Sequence, residues 1–148
     1  VRDNNINESY CREIYTEAII DLIKELQIES KMKSSKIYIY GCSFGGGIVW
    51  NILVNHSNII SGAIELMGEY RGTKSINEID FEKIAKIPIW MAHSTDDCVV
   101  SIKSDDEFYQ MLKKQNANVK YTRPNKYGHK LAGVFLRKQN WVEWLLNQ

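Results

Sequence analysis

The chain alternates between stretches whose apolar residues recur every three or four positions and short blocks that are apolar almost throughout. Over Glu8–Glu29 the residues Tyr10, Ile14, Ala18, Ile19, Leu22, Ile23 and Leu26 keep the helical period. This predicts an amphipathic helix whose apolar face lies on a sheet or another helix. A polar connection at 31–36 leads into a buried strand at 36–41, built from β-branched and aromatic residues. Helical spacing resumes over Phe44–His56 through Ile48, Ile52 and Leu53. Gly46 and Gly47 lower helix propensity there, so their presence implies a close approach of helix to strand.

The second half repeats the alternation. A strand is expected at 59–67 and a short helix at 79–84, followed by a strand at 88–92. Next comes a helix opening at Ser101 or Ser104 and running to about 115, with Phe108, Met111 and Leu112 on its inner face. A fourth strand at 119–123, a loop at 124–130 and a closing helix at 133–146 complete the pattern. Strands alternating with helices imply right-handed crossovers and a mostly parallel sheet between helical layers. The expectation is one α/β three-layer domain spanning 1–148 with about four strands, without repeats or low-complexity linkers.

Composition narrows the chemistry. Lys+Arg 19 against Asp+Glu 18 leaves a net charge of +1, which supplies no electrostatic argument for nucleic acid or an anionic membrane. No apolar run reaches the ~18 residues of a spanning helix, and Val1 to Asn5 are polar rather than signal-like. A soluble, unanchored chain is therefore expected, of undetermined compartment. Cys11, Cys42 and Cys98 lack CxxC spacing and suggest neither a zinc site nor a disulfide framework. Cys42 reads as a small buried hydrophobe, and Lys31, Lys33 and Lys36 as a solvated turn.

In a parallel sheet functional residues gather just past the carboxyl ends of the strands. After the first strand stands Gly41-Cys42-Ser43-Phe44-Gly45, a serine on a strand-to-helix corner between small residues, the geometry of a nucleophile elbow. The loop after the third strand holds Asp96 and Asp97, and the loop after the fourth holds Tyr127-Gly128-His129. Ser43 as nucleophile, Asp97 as acid and His129 as base form a candidate triad; Asp96, Glu65 and Glu69 compete for the acid role. The Phe44 N–H, at the helix N-terminus, is the candidate oxyanion donor. His56 reads as a helix C-terminal cap. His93 reads as loop scaffold, and Trp90, Trp141 and Trp144 as core. This chemistry needs no metal or cofactor.

His93 to Val100 resembles the HGxxDxxV stretch of α/β-hydrolase esterases, with Ser94 where that pattern has glycine. Gly128-His129 through Trp141 to Leu146 is similar to the GHxxW…WL ending of dienelactone-hydrolase-like and prolyl-oligopeptidase-like esterases, a group that includes carbohydrate esterases. The resemblance covers about 8–148 and implies the C-terminal portion of an α/β-hydrolase fold. It also implies a serine esterase acting on a small-molecule carboxylic ester, with peptidase, thioesterase and a non-catalytic binding module as alternatives. In that fold the second oxyanion donor precedes the elbow's helix–strand unit. The four strands and the lack of an initiator methionine thus imply a segment whose sheet is completed by further N-terminal residues or by another chain.

Overall fold

A computed structural model describes residues 8–29 and 36–148; most of the polar connection, including Lys31 and Lys33, lies outside the described residues. Four strands, β1 (Tyr38–Cys42), β2 (Gly62–Leu66), β3 (Ile89–Ala92) and β4 (Val119–Thr122), form one parallel sheet in sequence order. Tyr40 pairs with Ile64, and Ile64 with Trp90. Among the described residues six α-helices accompany them: α1 (Glu8–Glu29), α2 (Phe44–His56), α3 (Phe81–Ile84), α4 (Lys103–Lys114), α5 (Leu131–Lys138) and α6 (Trp141–Leu146).

Because side chains alternate across a strand, the sheet has two apolar faces, and each has its own core. Ala63, Ile89 and Met91 join Trp50, Leu53, Phe108 and Leu112 beneath α1 to α4. Ile64, Leu66, Trp90 and Ala92 meet Leu131, Phe135 and Leu145 beneath α5 and α6. This is the expected three-layer α/β arrangement. Trp90 packs edge-on against Phe135 and Trp144, at 4.9 and 5.5 Å between ring centroids, so the tryptophans serve packing as the sequence implied.

Three local expectations are corrected. The strip that α1 buries is Arg12, Thr16 and Ile20, while Tyr10, Ile14, Leu22 and Leu26 stay exposed. The reason lies on α2: Gly47 leaves a notch for Arg12, whose guanidinium a Cβ there would strike, while Gly46 faces the end of β2. The expected closing helix is two helices, because Gln139 is extended (φ −105°, ψ 141°) and Asn140 occupies the cap position before α6. The break lets Trp141 meet the Tyr40 ring at 5.5 Å while Leu145 enters the core. Cys42 is exposed rather than buried, since β1 is the outer strand of the sheet and pairs on one side only among the described residues. Among those residues no helix is long and apolar enough to cross a membrane.

Candidate active site

Ser43 is the single residue between β1 and α2, and it takes φ 54° and ψ −120°. A non-glycine residue there stores strain of about 1–3 kcal/mol. Neighbouring structure holds it in place: the Ser43 N–H donates to the Leu66 carbonyl oxygen at 2.8 Å, and the Ser43 carbonyl oxygen accepts the Gly47 N–H at 3.1 Å. A Cβ on Gly41 would collide with the Gly45 carbonyl, which explains that glycine. Gly45 itself has open space where a Cβ would stand, so smallness there is not required by the described residues.

Two further loops converge on this corner. His129 Nε2 lies 2.8 Å from Ser43 Oγ, and His129 Nδ1 lies 2.8 Å from Asp97 Oδ2. Asp97 Oδ1 accepts the Val99 and Val100 N–H groups at 2.8 and 3.0 Å, so both carboxylate oxygens are engaged. Burial alone would raise the Asp97 carboxyl. The Val100 N–H, the His129 ring and the Val99 N–H outweigh it and hold the group below the usual carboxylate range. An ionised Asp97 requires the Nδ1–H tautomer of His129, which leaves Nε2 free to accept from the serine hydroxyl. That arrangement can remove a proton from Ser43 while it attacks an acyl carbon.

The competing carboxylates sit elsewhere. Asp96 Oδ1 accepts the Gly128 N–H at 3.0 Å and the Ser94 hydroxyl, so it braces the two loops. Glu65 is buried and accepts the Gly68 N–H at 2.6 Å. Glu69 holds Arg71 at 2.7 Å. Phe44 opens α2, where the first-turn N–H groups lack helical acceptors. Its ring lies edge-on to Tyr15 and under the Arg12 guanidinium, 4.9 Å from the centroid.

Residues 3–141 match the model of the phospholipase/carboxylesterase family. The chain belongs to that family. Among solved structures it is similar to a thermostable esterase, with 27% identity and a TM-score of 0.77 over 88% of this chain and 36% of that one. It is also similar to the Bacillus cereus carboxylesterase, with 23% identity and a TM-score of 0.72 over 97% of this chain and 66% of that one. Arabidopsis thaliana SOBER1 matches at 20% identity and a TM-score of 0.66 over 95% and 67%. The chain thus spans about a third and about two thirds of the first two proteins, and the sheet is that of an α/β-hydrolase. No curated protein sequence matches it.

Within this member of the phospholipase/carboxylesterase family, several side chains around the site escape a reading of the sequence. Ser94 Oγ accepts the Tyr127 N–H at 3.2 Å while donating toward Asp96, and so ties the Asp97 loop to the His129 loop. Arg12 donates to the Glu69 carbonyl oxygen, anchoring α1 beside Phe44. Away from the site, at the far end of α2, His56 also reaches Glu17 of α1 at 2.8 Å. The only local signal was Ser94, through its departure from the glycine of the resembled pattern.

Proposed function

We propose that this chain carries the chemistry of a serine hydrolase that cleaves carboxylic esters through an acyl-enzyme. The observation that carries the reading is the unbroken line Ser43 Oγ, His129, Asp97, with 2.8 Å at each link. Ser43 attacks the ester carbonyl as His129 takes the hydroxyl proton, and the tetrahedral oxyanion is met by the Phe44 N–H. Collapse expels the alcohol, which receives that proton from His129. Water, activated by the same imidazole, then releases the acid and restores Ser43. The family and the esterase similar to this chain support an ester substrate; a small-molecule ester is the substrate proposed.

The outer edge of β1 enters the same proposal. A strand added there, from further residues of the polypeptide or from another chain, completes the sheet and supplies a second oxyanion donor beside Phe44. A fluorophosphonate probe followed by peptide mass spectrometry tests the reading. Ser43 is expected to carry the label, with none in Ser43→Ala and little in His129→Ala. A folded, monodisperse sample that takes no label removes the catalytic claim for this chain.

A further inference from the structure

A second histidine stands behind Asp97. His93 follows β3 directly and is completely buried. Its Nδ1 lies 2.7 Å from Asp105 Oδ2, and its Nε2 lies 3.2 Å from the Val100 carbonyl oxygen and 3.4 Å from Asp97 Oδ2. That last atom is the oxygen that His129 Nδ1 addresses at 2.8 Å. One carboxylate oxygen is thus shared by two imidazoles, one leading out to Ser43 and the other into the core.

The partners of the His93 ring are all oxygens. Nε2 faces a carbonyl and a carboxylate, neither of which can donate, so it carries a proton. Nδ1 faces Asp105, whose other oxygen accepts the Trp50 indole N–H at 2.9 Å. A proton on both nitrogens makes His93 a cation between Asp105 and Asp97, and buried charges persist when they are paired in this way. Were Asp105 to hold the proton instead, the Asp97 carboxylate would lie beside a neutral ring. Burial pulls His93 down, but the hydrogen bond and charge of Asp105, with the Val100 carbonyl and Asp97, turn the net direction upward. Other titratable groups reach the cluster from three sides. Glu65 of β2 and Tyr121 of β4 are both pushed up, by burial first and then by the Asp105 charge, and His129 approaches through Asp97.

We propose that His93 is a positioning residue: a buried imidazolium, clamped by Asp105, that keeps Asp97 ionised and aimed at His129 and sets the pH range in which His129 works as a base. The proposal rests on the Ser43, His129, Asp97 reading, and two measurements keep them separable. The first needs no turnover. In 15N NMR spectra of the unaltered chain both His93 ring nitrogens are expected to stay protonated at pH 7, with one proton lost in Asp105→Asn. A singly protonated ring in the unaltered chain overturns the proposal.

The second is the pH profile of kcat/KM on p-nitrophenyl butyrate for the unaltered chain, His93→Gln and Asp105→Asn. Removing a positive charge near His129 favours its protonated form. The acid limb in His93→Gln is therefore expected to move up by about two pH units, the scale of a charge reached across one shared carboxylate oxygen at an effective dielectric of about 20, with KM unchanged. The same direction is expected in Asp105→Asn. A uniform fall at every pH, with the limb in place, assigns His93 a structural role only and overturns the proposal. Failure of the underlying reading looks different: Ser43→Ala would retain the full rate, leaving His93 no reaction to serve, while its ring protonation is still read independently.

Discussion

The Ser43 N–H donates to the Leu66 carbonyl oxygen at 2.8 Å, so the ladder between β1 and β2 continues one residue beyond β1 and fixes the serine at φ 54°. Strain of this kind costs about 1–3 kcal/mol in a non-glycine residue. Glycine relieves it but adds freedom to the unfolded chain, so Ser43→Gly is expected to gain about 1 kcal/mol net. For a chain of this size that is a Tm rise of about 2–4 °C. Ser43→Ala keeps the strain and should leave Tm unchanged; both variants should lose ester hydrolysis. Calorimetry decides it: a Ser43→Gly melting point at or below that of Ser43→Ala shows that the corner stores no strain.

Two adjacent helical glycines make opposite predictions. A Cβ on Gly46 would stand 2.7 Å from Glu65 Oε1, 2.8 Å from Gly68 Cα and 2.9 Å from the Leu66 carbonyl oxygen, and the last two are backbone atoms that cannot swing aside. Gly46→Ala should lose about 1–3 kcal/mol by overpacking, offset in part by about 1 kcal/mol of helix propensity. Gly45→Ala meets open space and should keep the propensity gain. Urea midpoints falling for Gly46→Ala and holding or rising for Gly45→Ala are the expected result. Equal midpoints would contradict the close approach of α2 to the end of β2.

Glu65 gives the fold a pH dependence of defined sign. Burial, and then the Asp105 charge, push its carboxyl well above the ordinary range, against the pull of the Gly68 N–H. The folded chain therefore holds a proton that the unfolded chain releases near pH ~4.3. Its contribution is fully present below that value and declines as pH rises toward the folded value. Glu65→Gln keeps an acceptor for Gly68 but cannot ionise. The variant is expected to match the unaltered chain near pH 4 and to exceed it increasingly toward pH 8, read from urea unfolding across that range. A difference that does not change with pH would mean Glu65 is already ionised in the folded state.

The alternation of helical and strand periods was legible because four strands and their flanking helices each carry a local pattern. The Ser43 corner was legible for a similar reason, since its glycines, strand and helix are all sequence neighbours. The buried face of α1 was not. Its apolar residues Tyr10, Ile14, Leu22 and Leu26 are exposed, whereas Arg12 is buried against Glu69 and Phe44, which are distant in sequence. Nor did Gln139 and Asn140 announce a break, because both are tolerated within helices and the break follows from where Trp141 and Leu145 must pack. Asp96 and Asp97 are adjacent in the chain. Only their partners, Gly128 and Ser94 for one and His129 for the other, distinguish them.

Those partners lead to a prediction for Ser94, which is buried and stands where the resembled pattern has glycine. Its hydroxyl donates toward Asp96, lies 3.2 Å from the Pro124 carbonyl oxygen, and accepts the Tyr127 N–H. Asp96 in turn accepts the Gly128 N–H, immediately before His129. Ser94→Ala leaves the half-buried Tyr127 N–H without its acceptor, at a cost of about 1 kcal/mol, and takes the side-chain donor from the exposed Asp96. The two loops that present Asp97 and His129 then lose one of their ties. If about 1 kcal/mol of that appears in the transition state, kcat/KM falls roughly fivefold. Because Ser94 and Asp96 act on one connection, the effects of Ser94→Ala and Asp96→Asn should be less than additive in a double-mutant cycle. Strict additivity in both stability and rate would show that the hydroxyl and the carboxylate brace the loops independently.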